Sequence, residues 1–285
     1  MKRIIILLAA ALIATGSITA QVFKRQKHEL SVHAGGGLST LQYDMSTGKH
    51  NNGVGFHIGG GYTYLFMPDW GFRTGLEIAL FRSGTSLKDF VGQYEVPGAS
   101  SRDNYTYYYA TDRYNETQQV WFLNVPLMLQ YQTGRTYKKY FAVGAKVGLP
   151  LKGTASTKKY EIATKGYFPE EGRTYDDLPQ FGFGTYEYLK HSSNLDNFKI
   201  AFMLSAEAGI KWKVAANNDV YTGAFIDYGL NNIQGTNDKT FVQGAISEDK
   251  PAMSSFMESN INGAPVTQKI NPFAVGVRVR FTFLQ

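Results

Sequence analysis

The chain has 285 residues, no cysteine and a formal net charge of +6. With 43% hydrophobic and 18% charged residues, it is too polar for a bundle of membrane helices and too apolar and aromatic for a disordered chain. The lack of cysteine excludes a disulfide scaffold, thiolate zinc sites and a cysteine nucleophile. Glycine (30), tyrosine (19) and phenylalanine (19) are plentiful, which favours an all-β protein with tight turns and aromatic girdles.

The N-terminus has the pattern of a signal peptide. Lys2 and Arg3 supply the positive start, and Ile4–Ile13 is an apolar run that is too short to cross a bilayer. Small residues follow it and favour cleavage after Ala20, with a buried N-terminal helix as the alternative. We therefore expect a signal peptide over 1–20, a short periplasmic stretch over 21–28 and a barrel domain over 29–285.

Eight later runs alternate between apolar residues on one face and small or polar residues on the other, the pattern of a strand between lipid and a barrel lumen. Each is long enough to cross a bilayer at a tilt, which takes roughly 9–11 residues, whereas strands of globular proteins average about 5–6. No later segment has the roughly 18 uninterrupted apolar residues of a transmembrane helix. The runs cover about 29–41, 53–65, 70–82, 119–132, 139–152, 197–213, 219–231 and 269–283.

The connections between these runs alternate in length. Short turns near 67–69, 133–138 and 215–218 alternate with longer loops near 42–52, 83–118, 153–196 and 232–268. This rhythm predicts an all-β fold, an eight-stranded antiparallel transmembrane up-and-down β-barrel with long extracellular loops and both termini in the periplasm. We expect the long loops to extend the barrel above the membrane. A soluble β-sandwich is the competing fold.

Three stretches resemble a known family. Phe122–Leu129 is an apolar strand with a central proline, Tyr228–Ile233 ends the seventh run, and Phe273–Phe283 forms the closing strand. In these stretches the chain resembles the Bacteroidetes-type eight-stranded outer-membrane β-barrel family, labelled PorT-like or outer membrane protein beta-barrel domain. The resemblance implies a place in the bacterial outer membrane, contact with outer-membrane lipid and a role that is mostly non-enzymatic.

The positive net charge is not spread over the loops. Loop 83–118 has three basic and five acidic residues, loop 153–196 has five and seven, and loop 232–268 has two and four. Each of these three loops therefore has a net charge of −2, and the exposed surface is expected to be acidic. A protein that binds nucleic acid shows a basic face instead, so we expect no nucleic-acid partner.

Charged residues inside the runs fall on the small-residue face and are expected in the lumen. The narrow interior of an eight-stranded barrel is filled by side chains, so these charges must be paired or hydrated. One hypothesis is a structural charge network, and the alternative is an anion site or a small-solute or anion pore that uses the surplus of bases. The residues are Arg73, Glu77, Lys146, Lys152, Lys199, Glu207, Lys211, Lys213, Asp227, Arg278 and Arg280.

The remaining candidates lie in the long loops. Tyrosine-rich loops of mixed charge suit recognition of a protein or glycan partner, although the same rings could pack on each other as a stiff barrel extension. The sequence has no nucleophile elbow, no HExxH and no EF-hand spacing, and we expect no catalytic residue, cofactor or metal. His33 and His57 are expected to face the lumen. The loop recognition candidates are Tyr105, Tyr107, Tyr108, Tyr109, Tyr186 and Tyr188.

Overall fold

A computed structural model describes most of the chain from Lys27 onward. The predicted signal peptide and residues 21–26 lie outside the described residues. The described ranges are 27–45, 47–98, 104–134, 138–158, 160–188, 192–195, 198–215, 218–235, 239–244, 250–261 and 263–284.

Eight long antiparallel strands form a closed ring. Each strand pairs with the next one along the chain, and the last strand pairs with the first. The fold is the predicted eight-stranded up-and-down barrel, and its closure leaves the ring without a free edge. The strands are β1 (Lys27–Met45), β2 (Val54–Leu65), β3 (Trp70–Val96), β4 (Tyr105–Thr133), β5 (Lys138–Thr157), β6 (Ala201–Ala215), β7 (Asn218–Gly229) and β8 (Thr267–Leu284).

Closure between β1 and β8 depends on glycine where the two backbones approach. Gly37 lies opposite Gly276 in the register of this pair. A Cβ on Gly37 would lie 2.3 Å from the Val275 carbonyl oxygen, and a Cβ on Gly276 would lie 2.2 Å from that of Gly36. A side chain at either position would push the closing strands apart, so these glycines allow close backbone approach.

The outer face of the ring is an apolar belt, as the alternation predicts. Along β1 and β2, Val32, Val54 and Ile58 each expose more than half of their surface, while Ser31, His33 and His57 between them are buried. Phe72, Phe141, Trp212 and Phe283 are exposed near one end of the ring, and Phe56 and Tyr228 near the other. This is the girdle pattern of a barrel in a bilayer.

Two strands continue far beyond the apolar belt. The runs predicted at 70–82 and 119–132 belong to strands of 27 and 29 residues, paired from Trp70↔Tyr131 to Val96↔Tyr105. Smaller strands join this hairpin: Tyr160–Phe168 pairs with Thr106–Ala110, and Arg173–Tyr175 and Gly184–Tyr188 pair with Tyr160–Phe168. We call this assembly, with the parts of β3 and β4 over 83–96 and 105–118, the extension.

The connection from β7 to β8 folds inward. Its described residues between 230 and 266, here the plug segment, bury Ile233, Phe241, Phe256 and Met257 completely or almost completely. Short strands hold it together, at Lys239–Thr240, Val242–Gln243, Ala252–Met253, Ser259–Ile261 and Ala264–Pro265. Strands Lys49–Asn52 and Ser192–Leu195 pair with β3 and β5, and a 3₁₀ helix spans Pro179–Phe181.

The part of the chain that the structure describes contains no helix long and apolar enough to cross a membrane.

Candidate functional site

Glu77 is one centre of a charge cluster inside the barrel. Its Oε1 accepts hydrogen bonds from Lys146 Nζ at 3.2 Å and from Asn124 Nδ2 at 3.2 Å. Its Oε2 accepts from an Arg278 terminal nitrogen at 2.8 Å and lies 3.2 Å from His33 Nε2. Glu77 is on β3, Lys146 on β5 and Arg278 on β8, so this carboxylate links three walls of the barrel.

Glu207 on β6 is the second centre. Arg73 contacts both of its carboxylate oxygens, at 2.6 and 3.3 Å, and Arg278 donates to Oε2 at 2.9 Å. Tyr140 Oη donates to Oε1 at 2.8 Å. Arg278 therefore bridges Glu207 and Glu77, and such charge-assisted bonds are stronger than neutral ones.

Lys146 and Lys211 link further acids into the cluster. Lys146 Nζ donates to Asp227 Oδ2 at 2.7 Å, and Ser205 Oγ donates to Asp227 Oδ1 at 2.6 Å. Lys211 Nζ lies 2.7 Å from Glu29 Oε1 and 3.0 Å from Asp219 Oδ2. All these charged side chains are buried.

Arg280 differs from the other bases of the cluster. One terminal nitrogen donates to Gln130 Oε1 at 2.8 Å, and the guanidinium carbon lies 3.9 Å from the centre of the Tyr221 ring. Its Nε and its other terminal nitrogen are buried and have no hydrogen-bond partner among the described residues. No ion pair of Arg280 is present there either.

Of the predicted lumen residues, the structure brings Arg73, Glu77, Lys146, Glu207, Lys211, Asp227, Arg278 and Arg280 together. The prediction is wrong for three lysines, which do not lie in the lumen. Lys199 is exposed because β6 begins only at Ala201, Lys152 is exposed beyond the register shift at Trp121/Phe122, and Lys213 is exposed where β6 ends.

Sequence reasoning missed two acids of the cluster, Glu29 and Asp219. Both lie on the predicted lumen face, since Glu29 is two residues from Ser31 and Asp219 two from Tyr221. Alternation alone could have found them at the ends of their runs. With them, the buried lumen charges among the described residues are five bases and five acids, so the predicted surplus of bases is absent there.

The two lumen histidines lie on neighbouring strands as expected. Their ring centres are 6.0 Å apart, and Arg278 Nε donates to His57 Nε2 at 2.8 Å. The nearby hydroxyl of Ser31 donates to the Gly61 carbonyl oxygen rather than to a histidine. The histidines are therefore partners of the charge cluster. The described residues include no group of three or more His, Asp or Glu side chains that could hold a metal ion.

An apolar layer closes the lumen above the charges. Phe81, Phe122, Met203 and Phe225 point inward from the barrel wall and pack with residues of the loops. The loop contributors are Leu195, Ile233 and Met257, all at most 3% exposed. Side chains from the wall and from the plug segment thus fill the extracellular end of the barrel.

The loop tyrosines are mostly interior. Tyr105, Tyr107 and Tyr109 are buried in the aromatic core of the extension, where they pack as the alternative interpretation of the sequence predicts. The expectation that these three face a partner is wrong. The core also holds Phe183 and Phe168, and the face of the sheet that carries these tyrosines turns towards them. Three candidates are half-buried instead: Tyr108, Tyr186 and Tyr188.

Glu116 anchors the plug segment to the extension. Its fully buried carboxylate accepts hydrogen bonds from Tyr114 Oη and Gln118 Nε2, both at 2.8 Å, and from Ser255 Oγ and the Phe256 backbone N–H. Burial raises the pKa of Glu116 above its ordinary value, although these four hydrogen bonds act in the opposite direction. Glu116 lies outside the eight membrane-spanning runs, and sequence reasoning did not single it out.

Comparisons with known proteins agree with this architecture. The family model "Outer membrane protein beta-barrel domain" matches residues 19–235, most of the chain. The chain belongs to this family. The barrel is accordingly an outer-membrane protein, as the sequence predicted. No curated protein matches the chain in sequence.

Solved outer-membrane proteins are similar to the barrel at low sequence identity. Neisserial surface protein A has 12% identity and a TM-score of 0.32 over 89% of this chain and 95% of that one. A major outer membrane protein of Thermus thermophilus has 11% identity and a TM-score of 0.36, over 90% of this chain and 99% of that one. Ail of Yersinia pestis, solved in complex with the heparin analogue sucrose octasulfate, has 11% identity and a TM-score of 0.25, over 90% of this chain and 99% of that one. Scores this low support no statement about function.

Proposed function

We propose that this protein is a non-enzymatic, non-conducting barrel that anchors a rigid extension at the cell surface for recognition of a protein or glycan partner. The filling of the lumen carries this proposal. Buried charges cross-link the barrel walls, and the apolar layer with Ile233 and Met257 of the plug segment lies above them. A structural role in the envelope, as an accessory of a larger complex, fits the same architecture.

A small-solute or anion pore is the alternative, and two observations disfavour it. An anion pore draws its selectivity from an excess of positive charge along a water-filled path. Here the buried lumen charges of the described residues balance, and the lining at the extracellular end is apolar. Conduction would require the plug segment to leave the barrel mouth.

The outer surface of the extension is the proposed recognition surface. At the tip of the hairpin formed by Tyr160–Phe168 and Arg173–Tyr175, exposed Glu170, Glu171, Asp176 and Asp177 surround one exposed base, Arg173. The aromatic core beneath keeps this surface in a fixed shape, which lowers the entropy cost of binding. We infer that the partner presents cationic groups to this acidic tip.

The membrane partner is outer-membrane lipid. Lys152, Lys199 and Lys269 are exposed near the ends of their strands, beyond the apolar belt. Lysine ammonium groups at this height suit the phosphates of lipid head groups. We also propose that the mature chain begins after Ala20, as the signal-peptide pattern indicates.

Planar-bilayer recording tests the non-conducting part of the proposal. We expect the wild-type barrel to conduct no current. A variant lacking residues 236–262 of the plug segment should show current steps more often than the wild type. A control variant instead removes the four residues 169–172 at the tip of the extension. Stable single-channel steps from the wild-type protein would support the pore and contradict this part.

Binding to native cell-envelope fractions tests the recognition part. A variant with Glu170, Glu171, Asp176 and Asp177 changed to Gln or Asn should lose a specific partner that the wild-type protein retains. The difference in binding between the two proteins should be smaller at high salt, because salt screens the charge attraction of the wild-type surface. Lys152→Gln at the membrane rim is the control and should keep the partner. Equal retention by wild type and the four-residue variant would contradict the proposed surface.

A further inference from the structure

A small cavity lies inside the barrel beside the charge cluster. Arg73, Arg278, Arg280, His33 and Ser31 line it, and it has room for a single species of about the size of a water molecule. No acidic side chain is among the described residues that line the cavity. Three guanidinium groups thus border one small, partly open space.

The hydrogen-bond needs of these three arginines are not equally met. Arg73 and Arg278 donate to carboxylates. Arg280 is completely buried, donates to the neutral Gln130, and keeps two N–H-bearing nitrogens without a partner among the described residues. Glu207 attracts Arg280 electrostatically, but its ion pairs are made with Arg73 and Arg278. Buried N–H groups without an acceptor are unfavourable, so the two nitrogens of Arg280 point to a missing acceptor beside them.

The net charge of the residues around the cavity supports the same conclusion. The ion-pair group that contains Glu77, Glu207 and Asp227 has three acids against four bases when Arg280 is included, the others being Arg73, Lys146 and Arg278. Its excess is one positive charge among the described residues. The part of the cluster formed by Lys211, Glu29 and Asp219 has the opposite excess. It meets Arg280 through Tyr221, whose hydroxyl donates to Glu29 and whose ring lies against the guanidinium, so neither acid pairs directly with Arg280.

We propose that this cavity binds one small monovalent anion, of the chloride type, as a structural counter-ion of Arg280. A halide is larger than a water molecule, so the cavity must widen to hold it. It accepts hydrogen bonds from any direction, which suits a site bordered by arginines of β3 and β8. A water molecule would satisfy the hydrogen bonds but not the charge. The site is independent of the extension, so it is occupied whether or not the proposed recognition function is correct.

Chloride-dependent stability is the first test. Because a buried ion exchanges slowly, the protein is refolded from urea into detergent with sodium chloride or with sodium gluconate at equal ionic strength. We expect chloride to raise the midpoint of the heat-induced gel-mobility shift by about 5 °C at a hundredfold excess over its dissociation constant, and to saturate. Arg280→Gln should abolish this dependence, and Lys152→Gln, which removes an exposed positive charge, should retain it.

Bromide is the second test and needs no variant. Crystals of the wild-type barrel grown in bromide should show an anomalous peak in the cavity, within hydrogen-bond distance of the Arg280 guanidinium. If Arg280→Gln does not refold, this peak alone decides. Equal chloride dependence of Arg280→Gln and wild type, or a cavity that holds only water in bromide, would overturn the proposal.

Discussion

The interior of the barrel and the interior of the extension are built on the same strands from different chemistry. Along β3, the inward residues Arg73 and Glu77 in the membrane region are charged, whereas Leu87 and Phe90 in the extension are apolar. The outward residues change in the opposite sense, from Phe72 and other apolar side chains to mostly polar ones such as Gln93 and Glu95. In β3, the pattern of charged residues inside and apolar residues outside in the membrane region is therefore reversed in the extension.

The solvent outside each region explains the inversion. Lipid surrounds the barrel, so apolar side chains gain nothing by pointing inward, and the polar groups collect in the lumen. Water surrounds the extension, where burial of rings such as Tyr107, Phe183 and Phe256 supplies the driving force. The barrel should accordingly depend on ion pairs and the extension on packing, and each can be disturbed separately.

Removal of one acid of the lumen should have the largest effect. Glu207→Ala leaves Arg73 without its carboxylate and Arg278 with one partner fewer, and breaking a buried pair costs about 3–5 kcal/mol. The free energy of unfolding by urea in lipid vesicles, followed by heat-dependent gel mobility, should fall by this amount. Glu170→Ala, at an exposed acid, is the control and should change little. Unchanged stability of the Glu207 variant would show that the lumen charges do not hold the barrel together.

Removal of one ring should disturb only the extension. Phe183 is fully buried against Tyr105, Tyr107 and Phe168, and Phe183→Ala should cost about 3 kcal/mol locally. We expect protease to cut the extension of this variant faster while the heat-dependent gel shift of the barrel is retained. The control is Phe181→Ala, because Phe181 is 36% exposed and its loss should matter less. Loss of the gel shift together with the extension would mean that the two regions fold as one unit.

The alternation of apolar and polar residues was sufficient for the fold because lipid imposes it on every spanning strand. It placed eight of the lumen charges correctly, since a strand turns alternate residues to one side. It failed at strand ends. The pattern predicts Lys199 in a strand that begins only at Ala201, and Glu29 and Asp219 follow the same rule one step beyond the predicted set of lumen charges.

The extension was harder to predict. Its tyrosines have the composition of a recognition loop, and composition does not show which face of a strand is covered. Tyr105, Tyr107 and Tyr109 alternate with half-buried Thr106 and Tyr108, a strand pattern that was present in the sequence. Phe183 and Phe241, which are remote in sequence, cover these tyrosines. Local periodicity does not encode such long-range contacts.

A substitution that crowds the lumen without changing its charge should have an intermediate effect on the stability of the barrel. A Cβ on Gly35 would lie 2.5 Å from His57 Nε2, the atom that accepts the hydrogen bond from Arg278, and 2.6 Å from the Val277 carbonyl oxygen. Gly35→Ala should therefore displace His57 and lower the free energy of unfolding by about 1–3 kcal/mol. At Gly60, on the next strand, the nearest atom to a Cβ is 3.6 Å away, so Gly60→Ala is a matched control. Equal effects of the two substitutions would rule out the crowding of His57 as the cause.

The smallest expected effect concerns the contact between the extension and the plug segment. Burial raises the pKa of Glu116 in the folded state, so folding favours its protonated form. The stability that this group contributes is therefore present at acidic pH and is lost as the pH rises through the raised pKa. Hydrogen exchange around Phe256, corrected for the intrinsic effect of pH, should show less opening of the plug segment near pH 5 than near pH 8, in the range above the ordinary pKa of glutamate, about 4.3.

Glu116→Gln should remove this pH dependence, because the amide is neutral throughout and close in shape to the protonated acid. Four groups donate to the carboxylate, and at Oε2 the amide nitrogen would face the Phe256 backbone N–H. The amide nitrogen therefore takes the place of Oε1, where Ser255 Oγ can turn its hydroxyl and accept and the Gln118 side chain can flip its amide. Glu95→Gln, at an exposed acid of the same extension, should leave the dependence as in the wild type. If acid instead opens the plug segment and Glu116→Gln opens it at every pH, the ionised carboxylate is what holds the segment. The hydrogen bonds would then outweigh the cost of burial at this position.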